Sequence, residues 1–206
     1  MKTKTKAGRI FIGMLFVFMA VTSCSRIPEL KVTYGLPMRS DPLKGKKVFV
    51  GFEDARKSKD LIGKGAQEQY KNFSGNITLY FARGDEDGFR IGVYHIPSLF
   101  KAVFKERLEY MGAEVVSEKK ESETEMMIVL KDLVLDLVDR DWVVTMDYEA
   151  KLMKDGEFLA SQTISGQAER LKVLGRRDAD KLMGEIFTDV VNKLDVPRLF
   201  QQAGLI

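Results

Sequence analysis

Apolar positions recur along the chain at two spacings, which predict strands and helices. Every even position in residues 142–152 is apolar, and polar residues alternate with them from Thr145 onward, which is typical of a strand with one buried face. Apolar residues three and four apart fill residues 97–111 and the stretch from Asp178 to about Leu194. These two stretches are predicted to be amphipathic helices, and Pro197 is expected to stop the second.

Shorter apolar runs, rich in β-branched and aromatic residues, predict the other strands. They lie at residues 47–52, 77–82, 89–93, 113–116, 126–138 and 158–170, and the second and third are expected to pair as a hairpin with a long turn. The order of strand, helix, strands and helix predicts an α+β fold: an antiparallel sheet with two amphipathic helices packed on one face.

A change of phase within residues 126–138 predicts a β-bulge. Leu130 continues one alternating apolar set, and Leu133 opens another in the opposite register. A strand of strict period two cannot hold both sets on one face, so a bulge is expected near Lys131–Asp132.

The connection Lys154-Asp155-Gly156 is interpreted as a three-residue hairpin loop with Gly156 in the left-handed conformation. This choice places Leu152 opposite Phe158 and Met146 opposite Ile164. A two-residue Asp-Gly turn would instead place Leu152 opposite Leu159 and separate the apolar faces, so it is rejected.

The first 23 residues have the pattern of a cleaved signal peptide. Four basic residues lie within residues 1–9, and an apolar run of twelve follows at residues 10–21. Crossing a bilayer takes about 20 apolar residues, so a permanent membrane span is not expected. The sequence Val21-Thr22-Ser23-Cys24 resembles the lipobox of bacterial lipoproteins, which predicts cleavage before Cys24 and lipid on that cysteine.

The segment after Cys24 is predicted to be a lipid-anchored flexible tether over residues 24–45, because Pro28, Pro37 and Pro42 interrupt it. Residues 46–206 are then expected to form a single α+β domain. Ser25 after the lipid-bearing cysteine resembles the class that is sorted to the outer membrane, facing the periplasm.

Charge and catalytic motifs limit the function classes. The chain has 33 basic and 30 acidic residues, and the excess comes from residues 1–9, so no nucleic-acid partner is expected. His95 is the only histidine and Cys24 the only cysteine, and no nucleophile elbow or phosphate-binding loop is present. An enzyme, a metal site and a cofactor are therefore not expected, and His95 is interpreted as a residue at the start of a helix.

Three groups of charged residues are candidates for a site. Asp85-Glu86-Asp87 and the set Asp136, Asp139 and Asp141 are interpreted as solvated turns rather than calcium sites. Asp54 and Arg56 lie at alternate positions after the first predicted strand, so they point the same way if the chain is still extended. They are predicted to form a structural pair first and a partner contact second.

Several short motifs together resemble the YajG-like family of bacterial lipoproteins over residues 46–200. The motifs are Asp54-x-Arg56, Ile62-Gly63, Leu108-x-x-x-Gly112-x-x-Val115 and a closing helix followed by Leu194 to Leu199. Residues 64–94 are longer than the family norm. The resemblance implies an envelope lipoprotein related in shape to the auxiliary lipoproteins of envelope transport systems.

Two functional hypotheses remain. The first is a non-enzymatic binding or scaffold domain, tethered to the membrane through Cys24, with an envelope protein or the cell wall as its partner. The alternative is an auxiliary lipoprotein of lipid or solute transport that holds an apolar ligand between sheet and helices. Edge strands beside the long hairpin leave self-association as a homo-oligomer open.

Overall fold

The computed structural model describes residues 28–84 and 88–206. Its elements, in chain order, are β1 (Leu30–Leu36), β2 (Lys47–Asp54), β3 (Ile77–Arg83), β4 (Phe89–Tyr94), α1 (Ile96–Tyr110), β5 (Glu114–Val116), β6 (Thr124–Val138), β7 (Asp141–Lys154), β8 (Glu157–Leu171), α2 (Arg176–Lys193) and α3 (Val196–Gln202). The signal peptide, Cys24 and the cluster Asp85-Glu86-Asp87 lie outside the described residues, so what the sequence predicts for them stays a prediction.

Five strands form the larger sheet in the order β5-β2-β6-β7-β8. β2 runs parallel to both β5 and β6, whereas β6, β7 and β8 form an antiparallel meander. The prediction of a purely antiparallel sheet is therefore wrong. A connection that contains α1 returns the chain to the same end of the sheet, and a helical crossover of this kind joins parallel strands.

The helices α1 and α2 share one face of this sheet. All the even positions of β7 from Trp142 to Leu152 are buried, as the alternating pattern predicted. The ring of Phe104 in α1 lies 5.6 Å from that of Tyr148, and the Tyr148 hydroxyl donates to the carbonyls of Val190 and Val191 in α2 at 3.3 and 3.4 Å. Two helices thus meet over one side chain of β7.

A third helix follows α2, whereas the sequence predicted only that α2 would end before Pro197. α2 ends at Lys193, and Pro197 lies in the first turn of α3, where a residue without a backbone N–H is tolerated. The Asp195 carboxylate caps α3 by accepting the Arg198 N–H at 3.0 Å. Over residues 28–84 and 88–206, none of the helices has the length and hydrophobicity that crossing a bilayer requires.

The smaller sheet has the order β1-β3-β4, with β1 parallel to β3 and β3 antiparallel to β4. β1 lies inside residues 24–45, so the prediction of a flexible tether is wrong for Leu30–Leu36 and the folded domain includes residues well before 46. Pro28 and Pro37 flank this strand without interrupting it, which is where proline is compatible with a strand. Its alternate side chains are buried: Leu30, Val32, Tyr34 and Leu36.

The bulge in β6 is confirmed. The pairing of β6 with β7 passes from Leu130 opposite Tyr148 to Asp132 opposite Asp147, which leaves Lys131 as the additional residue. Beyond it, Leu133 and Leu135 are buried although they belong to the other alternating set.

The turn between β7 and β8 differs from the prediction. Asp155 and Gly156 form a two-residue turn with φ values of 50° and 86°, the type I′ geometry that hairpins favour. A register shift at Leu159 then brings Ala160 opposite Leu152 and turns Phe158 outward, so that 60% of Phe158 is exposed. The prediction of a three-residue loop is therefore wrong. The bulge at Leu159, rather than a third loop residue, brings the apolar faces of β7 and β8 to the same side of the sheet.

A buried arginine joins the ends of α1 and α2. Arg107 is 3% exposed, and its guanidinium donates to the carbonyls of Val191, Asn192 and Leu194 at the end of α2. The last carbonyls of a helix lack the regular hydrogen bonds of its interior, and a cation is favourable there because the carbonyl end of a helix is negative.

One stripe of α2 covers the free edge of β1. Asp180 accepts the Lys31 N–H at 3.0 Å, and Thr188 accepts the Gly35 N–H at 2.9 Å. The Asn192 side chain donates to the carbonyl of Gly35 at 3.0 Å. Between them, a Cβ atom on Gly184 would lie 3.0 Å from the carbonyl oxygen of Thr33, so the helix approaches the strand closely at this glycine.

The repeats of helix and strand explain why the stripe matches the strand. Four residues of α-helix rise about 6 Å, and two residues of strand rise about 6.6 Å. Residues 180, 184, 188 and 192 therefore stay level with alternate residues of β1. Side chains of α2 thus form hydrogen bonds that a neighbouring strand would otherwise form with β1. Without them, the edge of β1 would expose unpaired backbone groups.

Asp180 is the titrating member of this stripe. Burial raises its pKa from the ordinary 3.8 to about 6, although the Lys31 N–H and the charges of Lys31 and Arg176 oppose the shift. The folded state binds the proton of Asp180 more tightly than the unfolded state does. The stabilisation of the folded state by this proton is therefore complete below pH 3.8, and it is lost as the pH rises through about 6.

We predict that Asp180→Asn stabilises the protein at neutral pH by about 1 kcal/mol, a value reduced for the partial exposure of the group. The carboxamide oxygen can still accept the Lys31 N–H, and the substituted side chain is uncharged at every pH. Urea unfolding of both proteins from acid to neutral pH measures the difference, which should vanish below about pH 4.

Asp189→Asn on the same helix is the control, because Asp189 is exposed and pairs with Lys193 at 2.7 Å. This control should gain no stability at neutral pH. A loss of stability in Asp180→Asn at neutral pH, or a difference that persists in acid, would contradict the prediction.

Candidate functional site

Asp54 and Arg56 form a bidentate ion pair at the end of β2. Arg56 Nε donates to Asp54 Oδ1 at 3.0 Å and Nη2 donates to Oδ2 at 2.9 Å. The fork of the guanidinium matches the two carboxylate oxygens, which is the strong geometry for this type of pair. The residues thus meet side by side, while their predicted contact with a partner stays a prediction.

The pair also holds the loop that follows β2. Arg56 is 6% exposed, and its Nη1 lies 3.4 Å from the carbonyl oxygen of Leu133, just beyond the bulge of β6. Lys59 Nζ lies 2.7 Å from the Asp54 carbonyl oxygen and 3.1 Å from Oδ1. Hydrogen bonding from Arg56, with a smaller effect from Lys59, holds the pKa of Asp54 well below its usual range.

A surface groove of about 700 Å³ lies beside this pair, and we call it the pair groove. Asp54, Arg56 and Lys59 lie on one side, and Tyr70 and His95 are among its other lining residues. His95 is exposed and immediately precedes α1, as the sequence placed it. The side chains of Asp54 and Arg56 bind one another, so at this position the pair groove presents a neutral pair.

A larger open groove of about 980 Å³ runs along α2, and we call it the helix groove. Its floor is made of small residues from β1, β3 and α2, which include Gly35, Ala82, Gly184 and Thr188. Most of the lining surface is apolar. The close approach of α2 to β1 at Gly184 therefore creates the floor of the groove.

Basic residues gather at one end of the helix groove. Lys31, Arg177 and Lys181 outnumber Asp180 at the end where α2 begins. The carboxylates further along the helix, those of Glu185 and Asp189, pair with basic residues outside the groove lining. An acidic residue of a bound segment would therefore match the basic end of the groove.

The remaining candidates have structural explanations. Asp136 Oδ1 accepts the N–H groups of Ala66 at 3.1 Å and Leu137 at 2.8 Å, so this carboxylate orders the loop that packs on β6. Asp139 lies exposed in the β6–β7 turn with a φ of 55°. In the described part of the chain, no group of three or more histidine, cysteine or acidic side chains is arranged to hold a metal ion.

The helix groove was missed by sequence reasoning, because it depends on β1. Residues 24–45 were predicted to be a flexible tether because of their prolines, although the sequence contains the alternating apolar residues Leu30, Val32, Tyr34 and Leu36. A second signal was the spacing of four between Asp180, Gly184, Thr188 and Asn192, which places a stripe of short side chains on α2.

The sequence matches no known protein-family model. No curated protein sequence matches it either. Among solved structures, a Xanthomonas campestris protein described as a member of the DUF330 family superposes with a TM-score of 0.51 and 15% identity, over 85% of this chain and 99% of that chain. At this identity the likeness shows a shared fold alone.

Two lipoproteins are more distant structural matches. A minor lipoprotein from Acinetobacter baumannii has a TM-score of 0.40 and 8% identity, over 77% of this chain and 94% of its own. A lipoprotein from Neisseria meningitidis has a TM-score of 0.31 and 12% identity, over 72% of this chain and 96% of its own. Nothing in these comparisons is specific to the YajG-like family, so that resemblance stays a prediction.

Proposed function

We propose that the chain is a cell-envelope lipoprotein whose folded domain binds a protein segment in the helix groove and catalyses no reaction. Lipid on Cys24 would hold the domain at a membrane, with Ser25 favouring the outer membrane. The observation that carries the binding function is the helix groove itself, which is open, mostly apolar and basic at the end where α2 begins.

A polypeptide segment suits this groove better than a small apolar molecule. The open groove along α2 can accommodate an extended backbone, and its basic end can pair with an acidic residue of the bound segment. An apolar pocket for a small ligand is typically more enclosed, and buries most of the ligand surface. The helix groove is instead exposed along the length of α2.

The packing between sheet and helices also favours a surface site over the transport alternative. The rings of Phe52 and Phe187 each lie 5.4 Å from that of Phe100, in the layer between the larger sheet and the helices. Phe104 and Tyr148 are fully buried beside them. An apolar ligand between sheet and helices would have to displace these aromatic contacts, which lowers the expected affinity of such a site.

The anchor is tested by lipid labelling in bacterial cells. We predict that the wild-type chain incorporates labelled palmitate and sediments with membranes, whereas Cys24→Ser incorporates none and keeps its signal peptide. Mass spectrometry of the intact proteins measures both changes. A wild-type protein that begins at Met1 or carries no acyl group would contradict the proposed anchor.

The groove is tested by charge reversal. The full lipidated chain, tagged at its exposed C-terminus, should recover a defined protein from detergent-solubilised envelopes. We predict that Lys181→Glu in the helix groove lowers this recovery several-fold, because it removes a positive charge from the end of the groove that Lys31 and Arg177 share.

Lys101→Glu is the matched control, since Lys101 is an exposed residue on α1 outside the groove. This control should leave the recovery unchanged. Equal recovery with both variants, or no defined partner for the wild type, would count against the helix groove as the binding surface.

A further inference from the structure

Exposed aliphatic side chains gather at one end of the larger sheet. Val138 at the end of β6 and Leu171 at the end of β8 flank Asp141 of β7, so they lie about 10 Å apart in one row across three strands. Val173 and Leu174, in the connection to α2, are 71% and 66% exposed. Four of the nine large apolar side chains that are exposed in the described part of the chain thus belong to this end.

We call this end the tip, defined as residues 138–141 together with residues 171–177. Lys172 N–H donates to the carbonyl of Arg140 at 2.9 Å, which joins the two segments. The carboxylate of Asp178 accepts the N–H groups of both Val173 and Leu174. The apolar side chains are therefore displayed on an ordered backbone rather than on a loose loop.

Basic side chains surround the aliphatic ones. Residues 171–177 contain three basic residues and no acidic residue. Lys172 lies over the ring of Trp142, with Nζ 5.9 Å from its centre, and Arg176 lies over the ring of Tyr70 at 6.0 Å. Asp139 and Asp141 oppose this charge on the other segment, while Asp178 is occupied by backbone N–H groups. Positive charge is therefore concentrated beside Val173 and Leu174.

The strand β1 begins at this same end. Lys31 is joined to Asp180, one turn after Arg176 at the start of α2, and β1 runs in the same direction as the helix. Two residues of strand match four of helix, so Glu29 lies level with Arg176. The Glu29 carboxylate accepts the Thr78 hydroxyl at 3.2 Å, which holds it at the start of the smaller sheet.

Only a short stretch of chain therefore separates Cys24 from the start of β1, which lies at the same end as the tip. It precedes Pro28 by four residues, which span at most about 14 Å when fully extended. The distance available between an acylated Cys24 and the folded domain is shorter than the length that a twenty-residue tether would allow. Only a limited set of surfaces near the start of β1 can then face the bilayer.

We propose that the tip docks on an anionic lipid surface, with Val173 and Leu174 in the headgroup region and Lys172, Arg176 and Arg177 beside the phosphates. This inference rests on the proposed lipidation of Cys24. Each basic residue near an anionic membrane strengthens binding roughly five-fold, and aliphatic side chains add affinity by leaving water. The domain is thus oriented on the membrane, with the carboxyl end of α2 pointing away from it.

The experiment uses the mature lipidated chain on vesicles of phosphatidylethanolamine and phosphatidylglycerol. Because Cys24 is acylated, a cysteine introduced by Leu174→Cys is the only thiol, and it takes an environment-sensitive fluorophore. Nitroxide-labelled lipids in the vesicles should quench this label strongly. Val173→Cys, labelled in the same way, serves as a second position at the tip.

Met38→Cys is the matched control. Met38 is apolar and 94% exposed, but it follows the far end of β1, near Ser40, whose N–H donates to Tyr110 at the end of α1. We expect quenching at Leu174 to exceed that at Met38 several-fold. The excess should fall on phosphatidylcholine vesicles and in an Arg176→Gln/Arg177→Gln variant, but not in Lys101→Gln.

The outcomes separate the anchor from its orientation. A chain that carries no acyl group and fails to float with vesicles overturns the proposed lipoprotein. A chain that floats with equal quenching at Leu174 and Met38 overturns the docking of the tip while the anchor stands. Strong quenching at Leu174 that is independent of phosphatidylglycerol and of both arginines overturns the anionic preference.

Discussion

The contact between β1 and the stripe of short side chains on α2 is the interaction on which the arrangement depends. An edge strand exposes backbone groups that must find partners, and α2 supplies them through Asp180, Thr188 and Asn192. Gly184 provides the close approach that these short side chains need. The contact fixes the smaller sheet against the larger one, forms the floor of the helix groove and sets where the chain enters the domain.

Other buried polar contacts support the same geometry from the opposite end of α2. Arg107 holds the last carbonyls of this helix to α1, and the Tyr34 hydroxyl donates to Asn192 at 2.7 Å. The rings of Tyr34 and Phe187 pack edge to face at 6.2 Å. Strand β1 and helix α2 are thus joined along their whole shared length, so a shift of one would leave buried polar groups of the other without partners.

The sequence predicted well the elements whose pattern is local. β7, α1, α2 and the bulge at Lys131 follow from periodicity alone, and Asp54 and Arg56 were singled out by their spacing. Features that depend on distant partners were missed: β2 is parallel to β6, β1 pairs with β3, and Leu159 forms a bulge after the Asp155-Gly156 turn. In each case, the choice depends on which strand lies alongside, and the local pattern of one segment does not specify its neighbour.

The early start of the folded domain changes what an anchor at Cys24 can do. A long tether would let the domain take any orientation, whereas lipid on Cys24, four residues before Pro28, would place the start of β1 beside the bilayer. The most direct test is amide hydrogen exchange at Lys31 and Gly35, whose N–H groups donate to α2. Exchange as slow as that in the middle of β3 is predicted, and exchange at the rate of an unfolded peptide would contradict the account.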